Sequence, residues 1–118
     1  MRHTVSLKEN HLFRRLYAKG KSAAASTVAV YVRPNHRRQN RLGITVGVKV
    51  SHSAVKRNTV RRRIREAYRI HEQDMAPGYD IVVVARVRSA AARYAQIQRE
   101  LLRLLDKLGV YQKGEGRA

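Results

Sequence analysis

The sequence predicts one α+β domain with the element order α-β-β-α-β-α. Three observations carry this: helical periodicity in three separated segments, strict alternation of apolar residues in two others, and one short, continuously apolar run near the middle. A length of 118 residues favours a single domain, and a hydrophobic content of 43% is enough for a modest core. We take the domain as 1–118, with an ordered part from about 6 to 111 and a basic tail at 112–118.

The first helix is expected over 7–19, where Leu12 and Leu16 stand one turn apart and so do Phe13 and Tyr17. Asn10, or Ser6 with Glu9 as a capping box, is placed to cap its start, and Gly20 suits the position just past its end. Over 26–33, Val28, Val30 and Val32 share one face of a strand while Ala29 and Tyr31 share the other. A polar, basic loop over 34–40 follows. Leu42, Ile44, Val46 and Val48 then alternate with Gly43, Thr45 and Gly47, which reads as a second strand forming an antiparallel hairpin with the first. The Gly43, Thr45, Gly47 face carries so little side chain that it reads as an open floor beside Tyr31. A basic helix over 53–72 is broken by Met75-Ala76-Pro77-Gly78, and Ile81-Val82-Val83-Val84-Ala85 is too apolar for anything but a central strand. The last helix, from 89 or 90 to 108, buries Ile97, Leu101, Leu104, Leu105 and Leu108 and ends at Gly109. A short extra strand fits over 19–24.

Charge dominates the functional reading. There are 26 Lys+Arg against 8 Asp+Glu, a formal net charge of +18. Such a balance repels itself in the folded state and calls for a polyanionic partner, nucleic acid first and a membrane surface second. No apolar run is long enough to span a bilayer, and 1–6 lacks the apolar core of a signal peptide, so a cytoplasmic, bacterial setting without a membrane is expected. The absence of cysteine removes disulfides and thiolate metal sites.

The basic helix concentrates the charge. With Val60 at the centre of its buried face, Ile64 and Ala67 fall beside it and Tyr68 at its edge, while Asn58, Arg61, Arg62, Arg65 and Arg69 fall on the opposite side. Lys56 and Arg63 flank the apolar stripe. Guanidinium groups bind phosphate oxygens two at a time, and Asn58 offers a donor and an acceptor for a base edge or a 2′-hydroxyl. Aromatic residues at helical spacing are more often core. Here Leu12 and Leu16 already supply a core row, so Phe13 and Tyr17 are free to line the floor with Tyr31 as stacking platforms for unpaired bases. Catalysis by the protein itself is disfavoured. The 8 acids form no Asp-x-Asp or Glu-x-x-His cluster, the 5 histidines have no metal-ligand spacing, and no Gly-rich phosphate loop is present.

Taken in order, Leu7-Lys8-Glu9-Asn10-His11-Leu12-Phe13, Arg41-Leu42-Gly43-Ile44-Thr45-Val46, Ala54-Val55-Lys56-Arg57-Asn58, Arg61-Arg62, Arg65-Glu66-Ala67-Tyr68-Arg69 and Gly78-Tyr79-Asp80-Ile81-Val82-Val83-Val84-Ala85-Arg86 resemble the protein subunit of bacterial ribonuclease P, over about residues 7–111. The resemblance implies a small α-β sandwich: a mostly antiparallel four-stranded sheet and three helices in the order α-β-β-β-α-β-α, with the basic helix in a left-handed β-α-β crossover. It implies an accessory subunit of a ribonucleoprotein endoribonuclease that removes the 5′ leader from precursor tRNA. Catalysis then lies in the RNA subunit, which binds the Mg²⁺, with one protein per RNA and no catalytic or metal-binding residue in this chain. Lys49, Lys56, Arg57, Asn58, Arg61, Arg62 and Arg65 match the RNA-subunit-binding positions, and Phe13, Tyr17 and Tyr31 match the leader-binding cleft. Two positions depart from the family pattern. Thr59 stands where the signature has a second arginine, and Val48 stands in a usually basic stretch, leaving Lys49 its lone cation. Lys56 and Arg63 are the candidates to compensate for Thr59. The competing reading is a ribosomal or general structured-RNA-binding protein; a DNA-binding architectural protein ranks third, for want of helix-turn-helix spacing.

Overall fold

The run Ile81-Val82-Val83-Val84 has no polar side to show to water, so its strand must be covered on both faces and paired on both edges. The computed structural model, which describes residues 3–112, places it there. Eight elements follow in order: β1 (Thr4–Ser6), α1 (Asn10–Lys19), β2 (Lys21–Ala24), β3 (Val28–Pro34), β4 (Asn40–Thr45), α2 (Ala54–Arg69), β5 (Tyr79–Ala85) and α3 (Tyr94–Lys107). Short 3₁₀ turns lie at Glu72–Asp74 and Val87–Ala90. The sheet order is β1-β4-β5-β3-β2.

The α+β class and the three helices are as expected; the sheet differs in detail. β3 and β4 are not hydrogen-bonded neighbours, because β5 lies between them, antiparallel to β3 from Val28↔Ala85 to Pro34↔Tyr79 and parallel to β4 from Arg41↔Asp80 to Thr45↔Val84. The expected hairpin is therefore split by its most apolar strand, which gains a partner on each edge. β2 pairs antiparallel with β3, and β1, unforeseen, pairs parallel with β4. The sheet is thus five-stranded and mixed rather than four-stranded and mostly antiparallel. β4 also ends at Thr45: Val46 turns into the core, while Gly47 and Val48 lie beyond the strand, Val48 58% exposed.

Two layers of helix cover the sheet. On one face Val28, Val30, Val32, Leu42, Ile81 and Val83 meet Val60, Ile64, Ala67 and Tyr68 of α2 and Ile97, Leu101, Leu104 and Leu105 of α3. On the other, Leu16 of α1 and Leu7 pack on Val82. α1 starts at Asn10 rather than 7; its N-cap position is Glu9, whose side chain makes no capping bond. Gly20 closes α1 in an extended conformation rather than a left-handed one. Glycine is required there because a Cβ would come within 2.6 Å of the Leu16 carbonyl oxygen. Gly109, at φ +83°, is the left-handed stop past α3. Of the expected tail at 112–118, all but Gln112 lies outside the described residues.

Two buried polar networks fix the layers. The Tyr68 hydroxyl lies 2.8 Å from the Thr4 hydroxyl and accepts from Asn40 Nδ2 at 3.3 Å, tying β1 and β4 to α2. Burial pushes the Tyr68 phenol up from its ordinary value despite these bonds. Glu100, only 7% exposed, joins α3 to the β2–β3 turn. It accepts from the Thr27 amide (2.8 Å) and hydroxyl (2.7 Å), the Ser26 hydroxyl (2.8 Å) and Gln96 Nε2 (3.1 Å). Burial would raise its pKa, but these bonds outweigh it and hold the carboxyl at about 2.

A carboxyl depressed in the folded state stabilises fully above its unfolded value near 4.5, and that contribution is lost as pH falls toward 2. Glu100→Gln is expected to destabilise the protein by about 1–3 kcal/mol at pH 7. The gap to wild type should narrow steadily between pH 4.5 and 2 in thermal melts; a gap independent of pH would contradict the assignment.

Candidate nucleic-acid interface

α2 begins at a serine cap: Ser53 Oγ accepts from the Lys56 amide at 3.2 Å. From there the helix presents Lys56, Asn58, Arg62, Arg65 and Arg69 exposed, with Arg61 partly so, and buries Val60, Ile64, Ala67 and Tyr68, as its periodicity requires. Among the described residues, Glu66 is the acid on α2 that offsets the cluster. It accepts from Arg69 Nε at 3.0 Å and from Arg69 Nη2, and this pairing draws the Glu66 carboxyl below its usual range. Arg61 Nη1 donates to Asn58 Oδ1 at 2.9 Å, so these two side chains form one preset unit. Arg57 is partly committed within the fold: Nη1 donates to the Ser51 and His52 carbonyls, 3.0 Å each, and so fixes the loop before the helix. Lys49 is exposed in that loop.

Thr59 and Arg63 also look inward. Thr59 Oγ1 donates to the Val55 carbonyl at 3.0 Å, one turn back, and Arg63 Nη1 donates to the Ala92 carbonyl at 3.3 Å. Of the two residues expected to compensate for Thr59, Lys56 is fully exposed and Arg63 is part-buried against the segment before α3.

The second surface lies on the other face of the sheet. α1 crosses the strands above one register row, Tyr31↔Val82↔Gly43. Phe13 sits on Gly43, Leu16 on Val82 and Tyr17 on Tyr31. The helix therefore divides this face in two. On one side lies the row Ala29↔Val84↔Thr45, overlooked by Tyr17, which is 43% exposed and meets Tyr31 edge-on at 5.0 Å between ring centroids. The Tyr17 and Thr45 hydroxyls lie 3.5 Å apart.

The open floor needs correcting. Gly43 is buried beneath the Phe13 ring, where a Cβ would stand 2.5 Å from Phe13 Cζ, and Gly47 lies past the strand end. Phe13 belongs with Leu7, Leu12 and Leu16 in the packing of α1, so its role is partly core. The aromatic pair in edge-on contact on this face is Tyr17 with Tyr31.

The family model for ribonuclease P matches residues 1–109. The chain belongs to the ribonuclease P protein family. It is 41% identical to the ribonuclease P protein component of Natranaerobius thermophilus, over 96% of this chain and 97% of that protein, and 42% identical to that of Clostridium botulinum, over 89% and 95%. Its fold matches the Staphylococcus aureus RNase P protein with a TM-score of 0.82 at 34% identity, covering 93% of this chain and 98% of that one. The Thermotoga maritima RNase P protein matches with a TM-score of 0.78 at 29% identity, covering 86% and 96%. Membership makes this protein the accessory subunit of a ribonucleoprotein endoribonuclease that acts in tRNA 5′ maturation, with an RNA subunit as its partner.

For a ribonuclease P protein, the join between the two surfaces matters. A groove of about 700 Å³ runs around the β1 edge, with Phe13 and Gly43 at one end, Leu7 and Lys8 along it, and Arg61 and Arg65 of α2 at the other. Residues that the sequence assigns to two separate tasks thus share one wall. β1 builds this groove, and sequence reasoning missed it because three residues carry too little alternation to register. No group of three or more His, Asp or Glu side chains capable of holding a metal ion occurs among the described residues. Asp80, the most deeply placed acid on the α1 face, is held by Arg41.

The Phe13–Gly43 contact yields a direct test. Gly43→Ala should displace the Phe13 ring and destabilise the protein by about 1–3 kcal/mol through overpacking. Phe13→Leu should relieve part of that loss, so a double-mutant cycle in thermal or denaturant melts should show coupling. Additive losses would mean the ring does not rest there.

Proposed function

We propose that this protein binds the catalytic RNA of ribonuclease P through the guanidinium face of α2. The single-stranded 5′ leader of precursor tRNA lies over Tyr17 and Tyr31. The observation that carries this reading is the shared groove: Phe13 of α1 and Arg61 and Arg65 of α2 line one channel beside β1. A strand of RNA entering from the RNA subunit meets phosphate-binding cations first and a stacking surface next, the sequence of contacts an unpaired segment needs. Lys49, Lys56, Asn58, Arg61, Arg62 and Arg65 contact the RNA subunit in this scheme. Arg57 acts mainly by fixing the Ser51–His52 backbone beneath them.

The Mg²⁺ used in cleavage lies with the RNA subunit. The protein's part is to lower the repulsion between two RNAs, hold the leader extended, and so orient the scissile bond. One protein serves one RNA, in the bacterial cytoplasm.

Phosphate contacts predict a salt dependence. Affinity for the RNA subunit should fall linearly on a log–log plot against salt, and Arg62→Ala or Arg65→Ala should each reduce the slope by about one. A flat dependence in filter-binding titrations would refute phosphate-dominated binding.

Stacking predicts selectivity for the leader. Each base–aromatic stack is worth about 1–3 kcal/mol, so Tyr17→Ala should weaken precursor tRNA binding by roughly fivefold to a hundredfold. Mature tRNA, the RNA-subunit affinity and the melting temperature should change little, because Tyr17 is 43% exposed. Phe13→Ala should lower the melting temperature as well, because its ring also packs α1. Equal losses for precursor and mature tRNA on Tyr17→Ala would place the leader elsewhere.

A further inference from the structure

The half of the sheet on the other side of α1 has a different chemistry. Its row is Arg33↔Asp80↔Arg41, so three charged side chains stand side by side on adjacent strands. Asp80 is fully engaged. Oδ1 accepts from Arg41 Nε at 2.6 Å and from Asn35 Nδ2 at 3.1 Å, and Oδ2 accepts from Arg41 Nη2 at 2.8 Å. Arg33, although it faces Asp80 across the register, is left out: its Nη1 is buried and has no hydrogen-bond acceptor among the described residues. Around it lies a pocket of about 270 Å³, walled by Leu12 and Leu16 and edged by Arg15, which is exposed on α1, and by His36.

We propose that this pocket is a phosphate site, separate from the tyrosine surface, and that it takes a phosphodiester of the leader beyond the nucleotides stacked on Tyr17 and Tyr31. Three guanidinium groups line it against one carboxylate, and that carboxylate is already neutralised by Arg41. A buried guanidinium donor without an acceptor costs stability, and a phosphate oxygen supplies the acceptor whose geometry suits it. The leucine walls exclude water and strengthen the attraction. The occupant is a leader phosphate rather than the RNA subunit for a topological reason. Arg33 shares its sheet face with Tyr31, two residues along β3 (about 7 Å) and across α1 from the tyrosine surface. α2 packs on the opposite face.

This inference rests on the leader reading above. The test is a set of titrations with reconstituted holoenzyme, using mature tRNA and precursor tRNAs whose leaders lengthen stepwise. Arg33→Met keeps the apolar stem, and Arg15→Gln changes only an exposed residue; Tyr17→Ala is the control. Both arginine variants should match wild type on short leaders and mature tRNA, then weaken binding by roughly threefold to tenfold once the leader passes a threshold length, with the salt slope reduced by about one. Free-protein affinity for the RNA subunit should not change. A loss equal at all leader lengths, a loss of RNA-subunit affinity, or a lowered melting temperature with unchanged binding would each overturn the proposal. If Tyr17→Ala is leader-dependent and the arginine variants are not, this site alone fails. If Tyr17→Ala shows no leader dependence, the cleft reading fails with it.

Discussion

Burial of β5 on both faces is the constraint on which the rest of this structure depends. Ile81 and Val83 point into the α2–α3 layer and Val82 meets α1, so both edges are paired and the middle of the strand is buried, with Val84 left partly exposed on the Tyr17 side. Its insertion between β3 and β4 sends the chain from β4 through α2 and back to β5 as a parallel neighbour. That crossover lays α2 against the sheet with its apolar side down, and the cationic side has nowhere to go but outward. Insertion of β5 also brings Arg33, Asp80 and Arg41 into one row and Tyr31, Val82 and Gly43 into the next. Both candidate surfaces and the division between them follow from where one apolar strand finds its partners.

The charge is arranged to stay unbalanced. Glu66 pairs with Arg69 at the end of α2, Asp80 with Arg41, and Glu100 accepts only uncharged donors. These three acids thus secure the fold, and among the described residues Lys56, Arg61, Arg62 and Arg65 have no acidic partner. Self-repulsion in this set lowers the stability of the free protein, and a bound polyanion offsets it. Stability and RNA binding are therefore linked through the same side chains.

Much of this was legible in the sequence, because it rests on local periodicity. The buried stripe of α2, the two faces of β3, the central character of β5 and the stop at Gly109 all follow from spacing alone. What was not legible depends on pairing. Alternation in β3 and β4 suggested a hairpin, since nothing local says that a strand 40 residues later will part them. β1 is too short to signal itself; its place is fixed by Thr4, Asn40 and Tyr68 meeting from three elements. The glycine at 43 was read as open space when it is room for the Phe13 ring. Likewise nothing in the sequence singles out Arg33, because its neighbour Asp80 stands 47 positions away in the sequence and beside it in the sheet.

The departures at Thr59 and Val48 can be followed to their physical consequence. A threonine that returns its hydroxyl to the Val55 carbonyl offers little outward except a methyl group, and Val55 and Val48 beside the start of α2 are 78% and 58% exposed. Two exposed valines thus flank the polar Ser51-His52-Ser53 stretch at this end of the helix, where a second arginine would have added a cation. Arg63, turned inward to Ala92, does not restore the lost guanidinium. The cationic density shifts one to two turns along α2, to Arg61, Arg62 and Arg65, toward the groove that contains Phe13. In the proposed complex the RNA is held most strongly where the two surfaces join.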